Sequence, residues 1–133
     1  MTTQRERQAY WIKAQENLAS AQSEYINGRY NACANRLYYT SFHAAIAALL
    51  DASLPARTRA WGHGYVQAQF AGELITRRKI FAAEFRDTLT VLLELRTKAD
   101  YDQAPVTQRE AGRALRRAEA FVNAVAARGG DRR

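Results

Sequence analysis

Arg96, Asp100 and Tyr101 stand close together in the stretch ELRTKADYDQ, residues 94–103. An arginine is a fixed cation with a planar fork of donors, suited to holding phosphate or the charge that grows on it in a transition state. Asp100 lies one helical turn beyond Arg96 and can pair with it, or take up a proton. Tyr101 follows at the helix end. Arg96 continues the apolar stripe of Leu89, Leu92 and Leu93, so it should face the interior or a partner. A buried arginine needs a counter-charge. An internal Arg96–Asp100 bridge that locks the helix end is the plain reading; a site for anionic substrate is the chemical one. Glu94 and Lys98, also four apart, are expected to form an ordinary surface pair.

Two further groups carry usable side chains. Arg36, Tyr39 and His43 fall at steps of three and four, on one helical face beside an apolar stripe. They read either as a satisfied polar edge of the core or as a binding face. Arg57, Arg59 and His63 lie in the connector SLPARTRAWGHG, residues 53–64. A histidine could move a proton there while an arginine steadies a charged transition state, or the segment is a solvated basic loop anchored by Trp61.

Other chemistries are poorly supported. The GHG of the connector lacks the Lys-Ser/Thr of a phosphate-binding loop. Two histidines and the single Cys33 do not make a standard zinc site, and neither histidine follows a glutamate at the spacing of a carboxylate-bridged metal pair. No metal or cofactor is expected. Cys33, at helical spacing beside Leu37, reads as a buried structural thiol.

The elements that must position these residues are helical. Pro55 and Pro105, the only prolines, sit where helical patterning breaks. A first helix spans about 4–27, with Thr3 and Glu6 at capping-box spacing and Trp11, Ala14, Leu18, Ala21 and Tyr25 inward. Asn27-Gly28 stops it. A second spans about 30–52, with Leu37, Tyr38, Phe42 and a run of alanines as its stripe. A third spans about 63–76, followed by Arg77, Arg78 and Lys79 in a turn. A fourth spans about 81–101, with Phe81, Phe85, Leu89, Leu92 and Leu93 inward. Thr107 with Glu110 caps a fifth, packed through Ala111, Ala114, Leu115, Ala118, Phe121, Val122 and Val125. The expectation is an all-α antiparallel bundle of four to five helices over residues 1–128, with a disordered tail at 129–133.

Length fits one domain. No apolar run approaches the ~20 residues of a membrane span, and the polar start, MTTQRERQAYW, is unlike a secretory leader. With one cysteine, this leads to an expected cytoplasmic location and no membrane association. The net charge is +7. Its excess lies in the connector and the last helix: residues 56–79 hold five Lys/Arg against one Asp/Glu, and 107–133 seven against three. Such a surface suits nucleic acid or an acidic partner.

With these residues in view, NRLYYTSFHAAIAALL, residues 35–50, resembles the second-helix signature of HEPN domains, in the small single-domain bacterial branch. RTKADYD resembles the Arg-x-x-Ala-Asp-Tyr element of that branch, and FVNAV its closing helix. The helix order matches over nearly the whole chain.

The resemblance implies a HEPN-like fold and a toxin of a toxin–antitoxin module, paired with a minimal nucleotidyltransferase as antitoxin. It implies a homodimer acting on RNA as a metal-independent endoribonuclease, with an Arg, four to six residues, then His from each subunit in a composite cleft. In some such pairs the antitoxin adenylylates a tyrosine near the motif. This chain departs from the pattern: four residues intervene between Arg96 and Tyr101, where the histidine is due. Arg96, Asp100 and Tyr101 are the expected catalytic set, with His43 or His63 able to fold towards Arg96 and supply the imidazole. Arg57 and His63 have the motif spacing out of register and form an alternative pair. Arg36, His43, Arg77, Arg78 and Lys79, together with the arginines of the fifth helix, are expected to hold RNA. The rival function is a non-catalytic module that binds a nucleotide, or the substrate of a partner nucleotidyltransferase.

Overall fold

A computed structural model describes residues 2–56 and 60–130, with side chains described between residues 4 and 128 of that span. Arg57 and Arg59 lie outside it, as does the segment 131–133. The described residues contain helices and turns and no strand.

Helix α1 runs Thr2–Ile26 and α2 Tyr30–Asp51. They form an antiparallel hairpin, reversed where Gly28 takes φ 78°, a left-handed value that glycine adopts without steric cost. Helix α1 starts two residues before the expected point, and the Thr3 side chain lies outside those described. Trp11, Ala14 and Ala21 are buried as the spacing requires, with Leu18 and Tyr25 packed partly buried against them.

Helix α2 is the axis of the bundle, packed on α1, α4 and α5. It is apolar almost all round in its second half, where Ala44 to Leu50 are buried without a break, as a helix enclosed by neighbours must be. Its alanines let the other helices approach. Cys33 is fully buried, and burial pushes its thiol up to about 11, so it stays an inert core group.

Helix α3 covers His63–Gln69 and widens into a π-helical segment, Phe70–Arg77. Lys79 follows with φ 55° and ends the run in a turn. The expected fourth helix does not begin at residue 81. Residues 81–87 form a bend around a single 3-10 turn, Ala83–Phe85, and α4 is Thr88–Tyr101. The backbone N–H groups of Ile80 and Phe81 donate to the Leu74 carbonyl, which folds this stretch back on α3. Phe81 and Phe85 pack from the turn, their rings reaching Phe70 and Phe121 at centroid separations of 5.1 and 5.8 Å.

Helix α5, Gln108–Val125, ends in a π-helical turn, Ala126–Gly130. It opens on the expected capping box: the Glu110 N–H donates to Thr107 Oγ1, and the Thr107 N–H to Glu110 Oε1. Glu110 also draws Lys98 away from its expected partner. Lys98 Nζ lies 3.0 Å from both Glu110 carboxylate oxygens, so the predicted Glu94–Lys98 pair is replaced by a tie between α4 and α5.

Candidate functional site

The two tyrosines of α2, Tyr38 and Tyr39, are the floor of the site. Tyr38 is only 4% exposed, and the two rings meet edge to face with centroids 5.0 Å apart. Arg96 reaches across from α4 and lays its guanidinium against both, 5.7 Å from the Tyr38 centroid and 5.3 Å from that of Tyr39. The negative faces of the rings favour the cation. Thus the arginine expected to face inward does so, and its resting place is aromatic rather than aliphatic.

Asp100 is the counter-charge. Its Oδ2 lies 3.3 Å from Arg96 Nε, yet the Nε–H, itself buried, is not aligned to donate to any acceptor. The pair is therefore held by charge at a loose angle, and the guanidinium keeps donors for another anion. Asp100 is shared besides with Asn35, whose amide nitrogen stands 3.5 and 3.4 Å from its two oxygens.

From Asn35 a chain of hydrogen bonds runs to a histidine. Arg36 Nε and Nη2 donate to Asn35 Oδ1 at 3.1 and 2.6 Å. Arg36 Nη1 donates to Asn17 Oδ1 at 2.8 Å. The Asn17 amide nitrogen then donates to His43 Nδ1 at 3.2 Å. Arg36 also lies 5.2 Å from the Tyr39 centroid, so two guanidiniums flank one ring. Among the described residues Arg36 is met by amides and by no carboxylate. Asp100 forms its ion pair with Arg96 alone among the described residues, and the unneutralised charge of Arg36 leaves the site electropositive.

The two histidines differ in what they can do. Burial, then the positive charges of Lys13 and Arg36, push His43 down to about 4. Its Nδ1 is occupied as an acceptor from Asn17, so the neutral ring carries its proton on Nε2 and has no free lone pair. His63 is the other case. Its Nδ1 lies 2.9 Å from Tyr38 Oη, and burial holds its pKa below the ordinary histidine value. Tyr38 stays a phenol, pushed up to about 12 chiefly by burial and next by Tyr39, against a lowering by Arg96. In the tautomer whose Nδ1–H donates to the phenol oxygen, His63 presents a free Nε2 lone pair; in the other tautomer the phenol O–H donates to Nδ1. His63, at the start of α3, and Arg96 are related only through Tyr38, which meets the imidazole with its hydroxyl and the guanidinium with its ring.

The remaining candidates lie elsewhere. Tyr101 is 78% exposed and has no hydrogen bond or ring contact among the described residues; the helix turns it away from Arg96. Arg77 pairs with Glu73 at 2.7 Å, and Arg78 lies 3.5 Å from the same carboxylate while donating to the Ala52 carbonyl. Ala52 ends α2, about 20 Å along its axis from Tyr39. The basic run 77–79 is therefore at the opposite end of the central helix from Arg96 and is partly neutralised. The pairing of Arg57 with His63 falls on a residue outside those described.

Asn17, Asn35 and Tyr10 were not picked out from the sequence. The Tyr10 ring lies tilted 5.7 Å from His43 and meets Trp61 edge to face at 6.3 Å, closing the side of the site between α1 and the connector. Asn35 stood next to Arg36 in plain view. Asn17 gave no local signal, because its partners lie on another helix.

With this geometry in hand, two comparisons place the chain. The family model described as HEPN domain matches residues 8–128. Among curated proteins, one from Methanocaldococcus jannaschii named "Putative toxin MJ0605" is 31% identical over 117 residues, which covers 84% of this chain and 80% of that protein.

Proposed function

The chain belongs to the HEPN domain family, and on that premise we propose that it is a toxin-type member that acts on RNA as a metal-independent endoribonuclease with a degenerate Arg-x4-Tyr motif. The observation that carries this reading is the cluster of Arg96, Tyr38 and His63. A fixed cation with free donors rests on a phenol that is itself bonded to a neutral imidazole. The toxin element rests on the name of the M. jannaschii relative.

In this reading the scissile phosphate binds against Arg96 and Arg36. His63 Nε2 takes the proton of the ribose 2′-hydroxyl as that oxygen attacks the adjacent phosphorus. The bond from phosphorus to the 5′-oxygen breaks, the leaving oxygen takes a proton from water, and Arg96 stabilises the charge that builds on the phosphoryl oxygens. Asp100 holds Arg96 in place and Tyr38 holds the angle of His63, whose reactive tautomer is the one with its proton on Nδ1. No step needs a metal. Exposed Tyr101 lies outside this cluster and is free to meet a partner, such as a nucleotidyltransferase antitoxin, or a second subunit. In a homodimer the exposed apolar side chains Ile12, Ile26 and Tyr101 would be natural contact points.

The test is cleavage of RNA by purified protein in excess EDTA, beside Arg96→Ala and His63→Ala prepared identically. Cleavage by the parent and its loss in both variants supports the reading. Undiminished cleavage by Arg96→Ala overturns it.

One observation favours a second reading. The motif tyrosine is turned away from its arginine, and the arginine is tied to Asp100. A module that binds a nucleotide without turning over RNA needs only the electropositive aromatic floor. Saturable nucleotide binding that depends on Arg96, with no cleavage, would favour it.

A further inference from the structure

The start of α4 and the outer face of α5 enclose a groove that none of the preceding chemistry uses. Its volume is about 490 Å³, and Arg113, Arg116, Arg117, Thr88, Glu84 and Phe85 line it. Arg113 and Arg117 also line a second groove of about 420 Å³, which continues between α4 and α5 past Leu95 to Lys98 and includes the carboxylates of Glu94 and Glu110, the latter paired with Lys98. The two form one trough, with the arginine pair at their junction.

Four features mark the first groove as an anion site. Its three arginines lie within about one turn of α5, so their guanidiniums converge. Among the described residues none of the three has a carboxylate partner. Glu84 is the one carboxylate in the lining, and Asp87 stands beside Thr88 outside it. Thr88 is 1% exposed and lines the groove, and its hydroxyl has no hydrogen-bond partner. A buried hydroxyl left unpaired is destabilising, and a ligand oxygen would relieve that. Lastly, Thr88 is the first residue of α4, and Asp87 supplies no side-chain cap. The first N–H groups of that helix therefore have no side-chain cap, and a helix start of this kind favours an anion.

The groove is distinct from the Arg96 cluster. At about 100° per residue around α4, Val91, Leu95 and Lys98 of the trough lie on the flank away from Arg96 and Asp100. Thr88 and Arg96 are about 12 Å apart along the axis.

We propose that this trough binds the phosphodiester backbone of a single RNA strand, as a positioning surface outside the Arg96 site. Arginine forks suit phosphate geometry, and the trough is elongated, as a strand requires. The partly buried Phe85 ring at its edge offers a face for a base. This proposal rests on the reading that the protein acts on RNA.

The experiment is fluorescence anisotropy with a labelled single-stranded RNA over a range of salt, using the full chain. Beside the parent stand Arg113→Ala/Arg117→Ala, Thr88→Val and Arg96→Ala. The expected result is about tenfold weaker binding for the double variant, with a log–log salt slope shallower by about 0.7 per lost arginine. Thr88→Val should weaken binding while leaving or raising thermal stability, since its methyl replaces an unpaired hydroxyl. Arg96→Ala should keep the parent slope to within one contact. RNA binding that is unchanged in the double variant overturns the trough and leaves the Arg96 reading standing. A labelled polyglutamate that binds through the arginine pair while RNA does not makes this an acidic-protein groove and overturns the proposal. Binding of neither probe by the parent overturns it too. The Arg96 reading is judged separately, by cleavage in EDTA.

Discussion

Tyr38 Oη lies 2.9 Å from His63 Nδ1, and the same tyrosine ring carries the guanidinium of Arg96. One buried phenol on α2 thus joins an arginine near the end of α4 to a histidine at the start of α3. Neither neighbour is near it in the chain. The phenol fixes the imidazole by its tip and the cation by its face, so removing the hydroxyl alone separates the two roles.

Tyr38→Phe should keep the fold and the seat of Arg96 while freeing His63. RNA cleavage should fall by roughly tenfold, with the larger part in kcat, since positioning is lost rather than binding. Steady-state kinetics beside thermal melts would check this. A variant as active as the parent removes Tyr38 from the mechanism.

Arg96→Ala should reduce cleavage by about a hundredfold or more, the scale of losing one oriented donor to a charged transition state. Arg96→Lys should recover little, because a point charge cannot reproduce the fork. Growth arrest on expression should be lost in parallel. The circular dichroism spectrum should be unchanged, because Arg96 sits at the rim of the core.

The pH dependence of cleavage should follow His63. Its pKa is lowered by burial, so the neutral ring persists at neutral pH and somewhat into the acid range. Activity should be level near pH 7 and fall only below the ordinary histidine value. A fall that begins above pH 7 would exclude His63 as the base.

Stability should also record His43. Its pKa is about 4 in the fold against 6.5 ordinarily. Above 6.5 both states leave the ring neutral. As pH falls from there the unfolded chain gains the proton first, so stability declines until the folded pKa is passed. His43→Gln keeps an acceptor for Asn17 and should flatten melting temperature against pH between 6.5 and about 4 relative to the parent.

Thr107→Ala should destabilise the bundle by about 1 kcal/mol through loss of the α5 cap. Phe121→Ala should cost about 3–5 kcal/mol, because that ring packs between Phe70 and Phe85 at 5.1 and 5.8 Å. Urea unfolding separates the two effects, and a Phe121→Ala variant as stable as the parent would contradict the packing described.

Much of the fold was legible in the residues themselves. The periodicity of Trp11, Ala14 and Ala21, the Asn27-Gly28 stop and the Thr107–Glu110 cap are local signals. They depend on side chains within one or two turns, so the sequence determined helices, their order and the inward face of Arg96. The start of α4 was not legible: Phe81 and Phe85 have helical spacing, but the Leu74 carbonyl takes the N–H groups of residues 80 and 81. Lys98 has a partner at helical spacing in Glu94, and only the approach of α5 offered it a better-placed one in Glu110. The site divided in the same way. Arg96 and Asp100 are four apart and could be paired on paper. That His63 meets Tyr38, that Asn17 joins Arg36 to His43, and that Tyr101 turns outward were settled by tertiary structure. Which helix faces touch depends on the packing of the whole core, and no single stretch of the chain encodes that.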